Sequence, residues 1–117
     1  MKFKNLITAA ALLLLTGCSS VPLTGRKQVL LVSDQEVLSA SLTQYKSFMS
    51  TAPRSASATQ SATVTRVGKR IAQATETYLR QNGMEAQLKQ FAWEFNLVKD
   101  NQVNAFCMPG GKIVVYE

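Results

Sequence analysis

Between Val64 and Leu97 the rhythm of the apolar residues changes, and one class of regular structure cannot hold both halves. Val64, Val67, Ile71, Ala74 and Tyr78 recur at alternating intervals of three and four, which predicts one side of a core-facing helix. Arg66, Lys69, Arg70, Gln73 and Glu76 fall largely on its other faces, and Asn82-Gly83 supplies a stop. Beyond that stop Phe91, Trp93, Phe95 and Leu97 alternate with Ala92, Glu94 and Asn96. That period of two predicts a strand with an aromatic face.

The segments on either side complete the pattern. Ser33 with Glu36 three residues on forms a capping box, and Asp34 places negative charge at the positive end of the helix dipole. Leu38, Leu42, Tyr45 and Met49 then share one face, widened by Val37 and Phe48. Residues 51–62 are rich in Ser, Ala and Thr, contain Pro53 and read as a loop or linker. After the aromatic strand, Asp100-Asn101 marks a turn, Val103 to Cys107 a second strand, Pro109-Gly110-Gly111 another turn and Lys112 to Tyr116 a third strand. Two amphipathic helices followed by a small antiparallel strand meander predict an α+β fold, and 117 residues leave room for one small domain.

The first residues stand apart from that domain. Met1-Lys2-Phe3-Lys4 is basic, an apolar run follows from Leu6 to Leu15, and small residues precede Cys18. This is the layout of an export signal over residues 1–17 rather than of a buried helix, and the run is short for a permanent membrane span. Leu15-Thr16-Gly17-Cys18 resembles the lipobox of bacterial lipoproteins, in which the cysteine is acylated and becomes the first mature residue. The resemblance implies membrane lipid as a partner through Cys18. Several acyl chains on one residue give stable attachment where a single chain would be marginal. Ser19, not an aspartate, follows the cysteine, which in Gram-negative lipoproteins implies sorting to the outer membrane, facing the periplasm. Residues 18–32 then read as a tether and entry segment, and 33–117 as the folded domain.

Composition removes several function classes. The chain has no histidine, and so no imidazole base, no Ser-His-Asp arrangement and no histidine metal ligand. It carries neither a Cys-x-x-Cys pair nor a phosphate-cradling glycine loop. The acidic residues are dispersed apart from Asp34 and Glu36, which helix capping explains, so catalytic residues and metal ligands are expected to be absent. With Cys18 acylated, Cys107 is the remaining thiol. Lacking a histidine to activate it, it reads as a small buried strand residue rather than a nucleophile. The net charge of +6 includes Lys2 and Lys4 of the export segment, and the other cations are scattered without interleaved aromatics. That argues against nucleic acid as a partner, while modest attraction to an anionic membrane remains.

The last two predicted strands suggest a different activity. A strand at the border of a sheet presents unpaired N–H and C=O groups, and an extended peptide can add itself there. Asn104-Ala105-Phe106-Cys107-Met108-Pro109-Gly110-Gly111 resembles the Asn-Ala-Phe-x-x-Pro-Gly-Gly segment of the HtpX-like zinc metallopeptidases, peptidase family M-forty-eight. Pro22-x-Thr24-Gly25-Arg26-Lys27-Gln28 is similar to the start of lipoprotein members of that family, and Trp93-Glu94-Phe95 also fits. The resemblance implies that Asn104, Ala105 and Phe106 contact a polypeptide substrate. Against it stands a plainer reading, with Phe106 as a core aromatic and Asn104 as a turn residue. The resemblance implies zinc as the cofactor of full-length relatives, held by a His-Glu-x-x-His helix and a downstream glutamate. None of these ligands occurs here, so no zinc is expected on this chain itself. The expected function is therefore the N-terminal portion of a membrane-anchored zinc metalloendopeptidase acting on envelope proteins, truncated before its metal-binding helix. A small non-catalytic lipoprotein that binds extended peptides, or one whose hairpin is purely structural, is the alternative.

Overall fold

The computed structural model describes Phe3, residues 18–21 and residues 23–117, in two compact units, Met1–Asp34 and Gln35–Glu117. Apart from Phe3, the export signal expected over 1–17 lies outside the described residues. In the first unit β1 (Cys18–Ser20) pairs antiparallel with β2 (Lys27–Val29), with Cys18 opposite Val29. Gly25, at φ 64°, closes the turn by donating its N–H to the Val21 carbonyl at 2.9 Å. The expected tether thus contains a small hairpin.

The second unit is an α+β fold, as its changing apolar period predicts. Helix α1 (Asp34–Thr51) starts directly after Ser33, and its predicted stripe does face inward. Tyr45 is buried, Leu38, Leu42, Phe48 and Met49 are half-buried, and Val37 at the border of the stripe is exposed. Helix α2 (Ala58–Gln81) begins well before its first large apolar residue. Ser57, in extended conformation, accepts the Gln60 N–H on its side-chain oxygen, and this cap starts the helix inside the Ser/Ala/Thr-rich stretch. The loop expected over 51–62 is therefore confined to residues 52–57. At the other end the Asn82 side-chain amide donates to the Tyr78 carbonyl at 2.8 Å, and Gly83 at φ 70° turns the chain away. A 3-10 segment (Glu85–Gln90) leads to the sheet.

Three strands form that sheet: β3 (Glu94–Val98), β4 (Ala105–Met108) and β5 (Lys112–Tyr116). Their order is β3-β5-β4, so the expected meander is replaced by a mixed sheet. β4 and β5 form the predicted antiparallel hairpin, but β5 then inserts beside β3 and runs parallel to it, Asn96 opposite Val114. Burial explains the order. Lys112-Ile113-Val114-Val115-Tyr116 has a run of three β-branched residues and Val114 at 0% exposure, which suits the central place between two strands. The alternating β4, with Ala105 and Cys107 exposed, suits a border.

The helices cover opposite faces. Tyr45, Phe48 and Met49 of α1 pack with Val98, Val114, Phe106, Met108 and Tyr116 to form the main core. Phe48 and Phe106 meet edge to face with ring centroids 5.3 Å apart. On the other face α2 lies against β3. Phe91, Trp93 and Phe95 stack there nearly parallel, which bears out the predicted aromatic face although the strand proper begins only at Glu94.

The inward side of α2 is not the one its large apolar residues predict. Gly68, Ala72 and Leu79 are buried, whereas Val67 and Ile71 are exposed. The helix is turned about one residue's step from the expected face, because an added Cβ at Gly68 would sit 2.2 Å from the Phe95 ring. Close approach of helix to aromatic strand selects the smallest residues for the contact, and the β-branched stripe is displaced outward.

Candidate functional site: the open border of the sheet

Both borders of the sheet begin with unpaired backbone, but only one is covered. Along β3, residues 53–55 act as a partial extra strand. Ser55 donates its N–H to the Leu97 carbonyl at 3.0 Å, Lys99 donates to Pro53 at 2.8 Å, and Arg54 bridges Val98. No such segment lies along β4 among the described residues.

The hydrogen-bond register shows which β4 groups remain available. Tyr116 donates its N–H to the Asn104 carbonyl at 3.0 Å, so Asn104 and Tyr116 form a hydrogen-bonded pair. Such pairs alternate along an antiparallel ladder, which gives Phe106 with Val114 and Met108 with Lys112 the same arrangement. The N–H and C=O groups of Ala105 and Cys107 therefore point away from β5, toward the open border. Both residues have small side chains and are exposed, so nothing bulky guards these groups. Gln102, Val103, Asn104, Ala105, Tyr116 and Glu117 line an open concavity of about 550 Å³ at the start of β4.

The three predicted contact residues have separate positions in this arrangement. Ala105 presents backbone to the border. Asn104 is exposed and gives its carbonyl to Tyr116, leaving its side chain beside the concavity. Phe106 directs its ring into the core against Phe48 and Tyr116, as the plainer reading of that residue has it. Cys107, expected to be buried, is exposed, because α2 covers β3 and stops short of β4. Partial desolvation still pushes its thiol above the ordinary value, so it is protonated at neutral pH and a weak nucleophile. The outward backbone of Cys107 is not legible without the strand order, since parity along β4 is meaningful only once its partner is known.

A polar chain runs beneath the sheet on the α1 side. Arg54 Nη1 donates to Asn96 Oδ1 at 2.7 Å, and Asn96 Nδ2 donates to the Tyr45 hydroxyl at 2.7 Å. Burial pushes the Tyr45 hydroxyl above its ordinary pKa, and its hydrogen bond with Glu94 adds to the rise. Lys112, itself buried, donates to the Ala92 carbonyl, lies 3.6 Å from Glu94 and sits 5.8 Å from the Tyr45 ring centre. Every buried side-chain polar atom among the described residues has a partner. With its members mutually satisfied, this network ties α1 to the sheet and offers no free nucleophile or base.

Zinc does not fit the residues present. The sequence holds no histidine, and among the described residues no three of His, Cys, Asp and Glu lie together. No family model, curated protein or solved structure matches the chain.

Proposed function

We propose that this chain binds extended polypeptide by strand addition along β4, as the substrate-gripping part of a membrane-anchored zinc metalloendopeptidase of the HtpX-like type. The observation that carries the reading is the unblocked border, with the N–H and C=O groups of Ala105 and Cys107 free of β5 while the opposite border is occupied. Strand addition of this kind holds a peptide through main-chain hydrogen bonds and tolerates many side chains, which suits a protease acting on unfolded envelope proteins. Hydrolysis would require metal ligands that this chain does not carry. The same border supports a non-catalytic lipoprotein that holds extended peptides, and both readings predict the same binding.

Ala105→Pro provides a selective test. Proline here removes an N–H that points outward, so it leaves the β4–β5 ladder intact while blocking a partner strand. Titration with a fluorescent, unfolded casein peptide should show about a fivefold to tenfold loss of affinity, from one lost hydrogen bond and the ring's intrusion. Unchanged binding, with thermal unfolding like that of the parent, would remove β4 as the binding border.

We further propose that Cys18 carries the lipid anchor and that the protein resides in the outer membrane, facing the periplasm. The support is Leu15-Thr16-Gly17-Cys18 directly after the apolar run. Cells fed radioactive palmitate should label the wild-type chain and not the Cys18→Ala variant. Equal labelling of both would dispose of the anchor.

A further inference from the structure

We propose that the outward face of α2 is a docking surface for an anionic lipid bilayer. The large apolar residues that should have faced the core, Val67 and Ile71, are instead 44% and 54% exposed. They continue into an open apolar depression of about 240 Å³ whose other wall is formed by Ile113 and Val115 of β5. This is the reverse of the usual arrangement, in which a helix buries its aliphatic stripe and shows its polar side.

The charge beside the stripe selects the occupant. At about 100° per residue, Arg66 and Arg70 form the row next to Val67 and Ile71, while Lys69 lies on the opposite side of the helix. Both arginines are exposed, and α2 holds no acidic residue before Glu76. A second copy of the chain would bring these like charges together, so a symmetric α2–α2 contact is opposed. An anionic bilayer surface satisfies both features at once. Val67 and Ile71 enter the boundary between headgroups and acyl chains, while the cationic heads reach lipid phosphates on stems that lie along apolar surface. Each cation near such a surface strengthens partitioning about fivefold, so the two arginines together give on the order of 25-fold. The docking surface lies on α2 and β5 and does not depend on peptide binding at β4.

The test uses the full chain in a Cys18→Ser, Cys107→Ser background, with an environment-sensitive fluorophore on Val67→Cys. Matched chains carry the probe on Ile71→Cys, or on Lys46→Cys of α1 as the control. Vesicles of phosphatidylglycerol and phosphatidylcholine, with bromine on the acyl chains, should blue-shift and quench the probes at positions 67 and 71 and leave that at 46 unchanged. Pure phosphatidylcholine vesicles should give little quenching at any position. Arg66→Gln and Arg70→Gln together should reduce lipid contact at 67 by about 25-fold, with far-UV circular dichroism unaltered. Unquenched probes on anionic vesicles, equal quenching on neutral ones, or quenching at 46 equal to that at 67 would each overturn the proposal. The first of these, with the chain nonetheless bound to vesicles, would mean that another part of the molecule meets the lipid.

Discussion

Gly68→Ala should destabilise the folded unit by about 2 kcal/mol, and Gly68→Leu should prevent it from folding. The sign is opposite to the ordinary expectation. Alanine in an exposed helix interior gains about 1 kcal/mol over glycine. Here the new methyl would lie 2.2 Å from Cδ1 and 2.6 Å from Cε1 of Phe95, closer than real carbon contacts allow. The Phe95 ring has little room to yield, since Trp93 stacks beside it at 6.4 Å and Phe91 lies 4.6 Å beyond Trp93. The helix must therefore lift from β3, and the weakened packing outweighs the gain in helix propensity. For a unit of this size, 2 kcal/mol corresponds to a fall of about 10 °C or more in Tm. Urea titration followed by Trp93 fluorescence measures it. An alanine variant as stable as the parent would show that α2 does not approach the sheet this closely.

The second large effect is at the middle ring of the same aromatic stack. Gly111→Val is expected to cost about 4 kcal/mol, from two separate causes. Gly111 has φ 77°, a region that a β-branched residue occupies only under strain of about 1–3 kcal/mol. Its added Cβ would also lie 2.6 Å from the six-membered part of the Trp93 indole. That indole is held by the Trp93 Nε1 hydrogen bond to Glu76 at 2.9 Å and cannot swing aside without breaking it. Gly83→Val provides the internal comparison, because Gly83 has φ 70° but open space around its missing Cβ. It should lose only the backbone contribution, about 2 kcal/mol. Equal losses at the two positions, measured by thermal unfolding, would show that Trp93 does not lie against the turn.

These glycines mark where local pattern and final structure part. The stripe of α1 is readable because its large apolar residues are those that face the core, with Tyr45 at the centre. The stripe of α2 misleads because its contact with Phe95 leaves no room for large side chains, and hydrophobic periodicity registers only those. The start of α2 escapes the pattern for a related reason. A cap from Ser57 initiates the helix, while the residues just after it are small and polar and show no periodicity.

At the candidate site the hairpin residues are legible and their roles only partly so. Val103 to Cys107 read as a strand before a Pro-Gly-Gly turn, and the strand itself runs over Ala105–Met108, shifted toward the turn. Which groups face outward depends on parity relative to β5, and hence on a hydrogen bond between Tyr116 and Asn104 that no local pattern announces. Phe106 shows the consequence, with its backbone committed to β5 and its ring to the core.

The sequence by itself determined the succession of elements in the second unit, two helices and then strands, since periods of three-to-four and of two are properties of neighbouring residues. It also determined the absence of histidine, and with it the absence of any histidine-based chemistry. The tertiary structure decided the strand order, the covering of one border by residues 53–55 and the side of α2 that faces inward. Each of these depends on contacts between residues far apart in the chain, whose outcome is set by packing volume and hydrogen-bond completion and not by local preference.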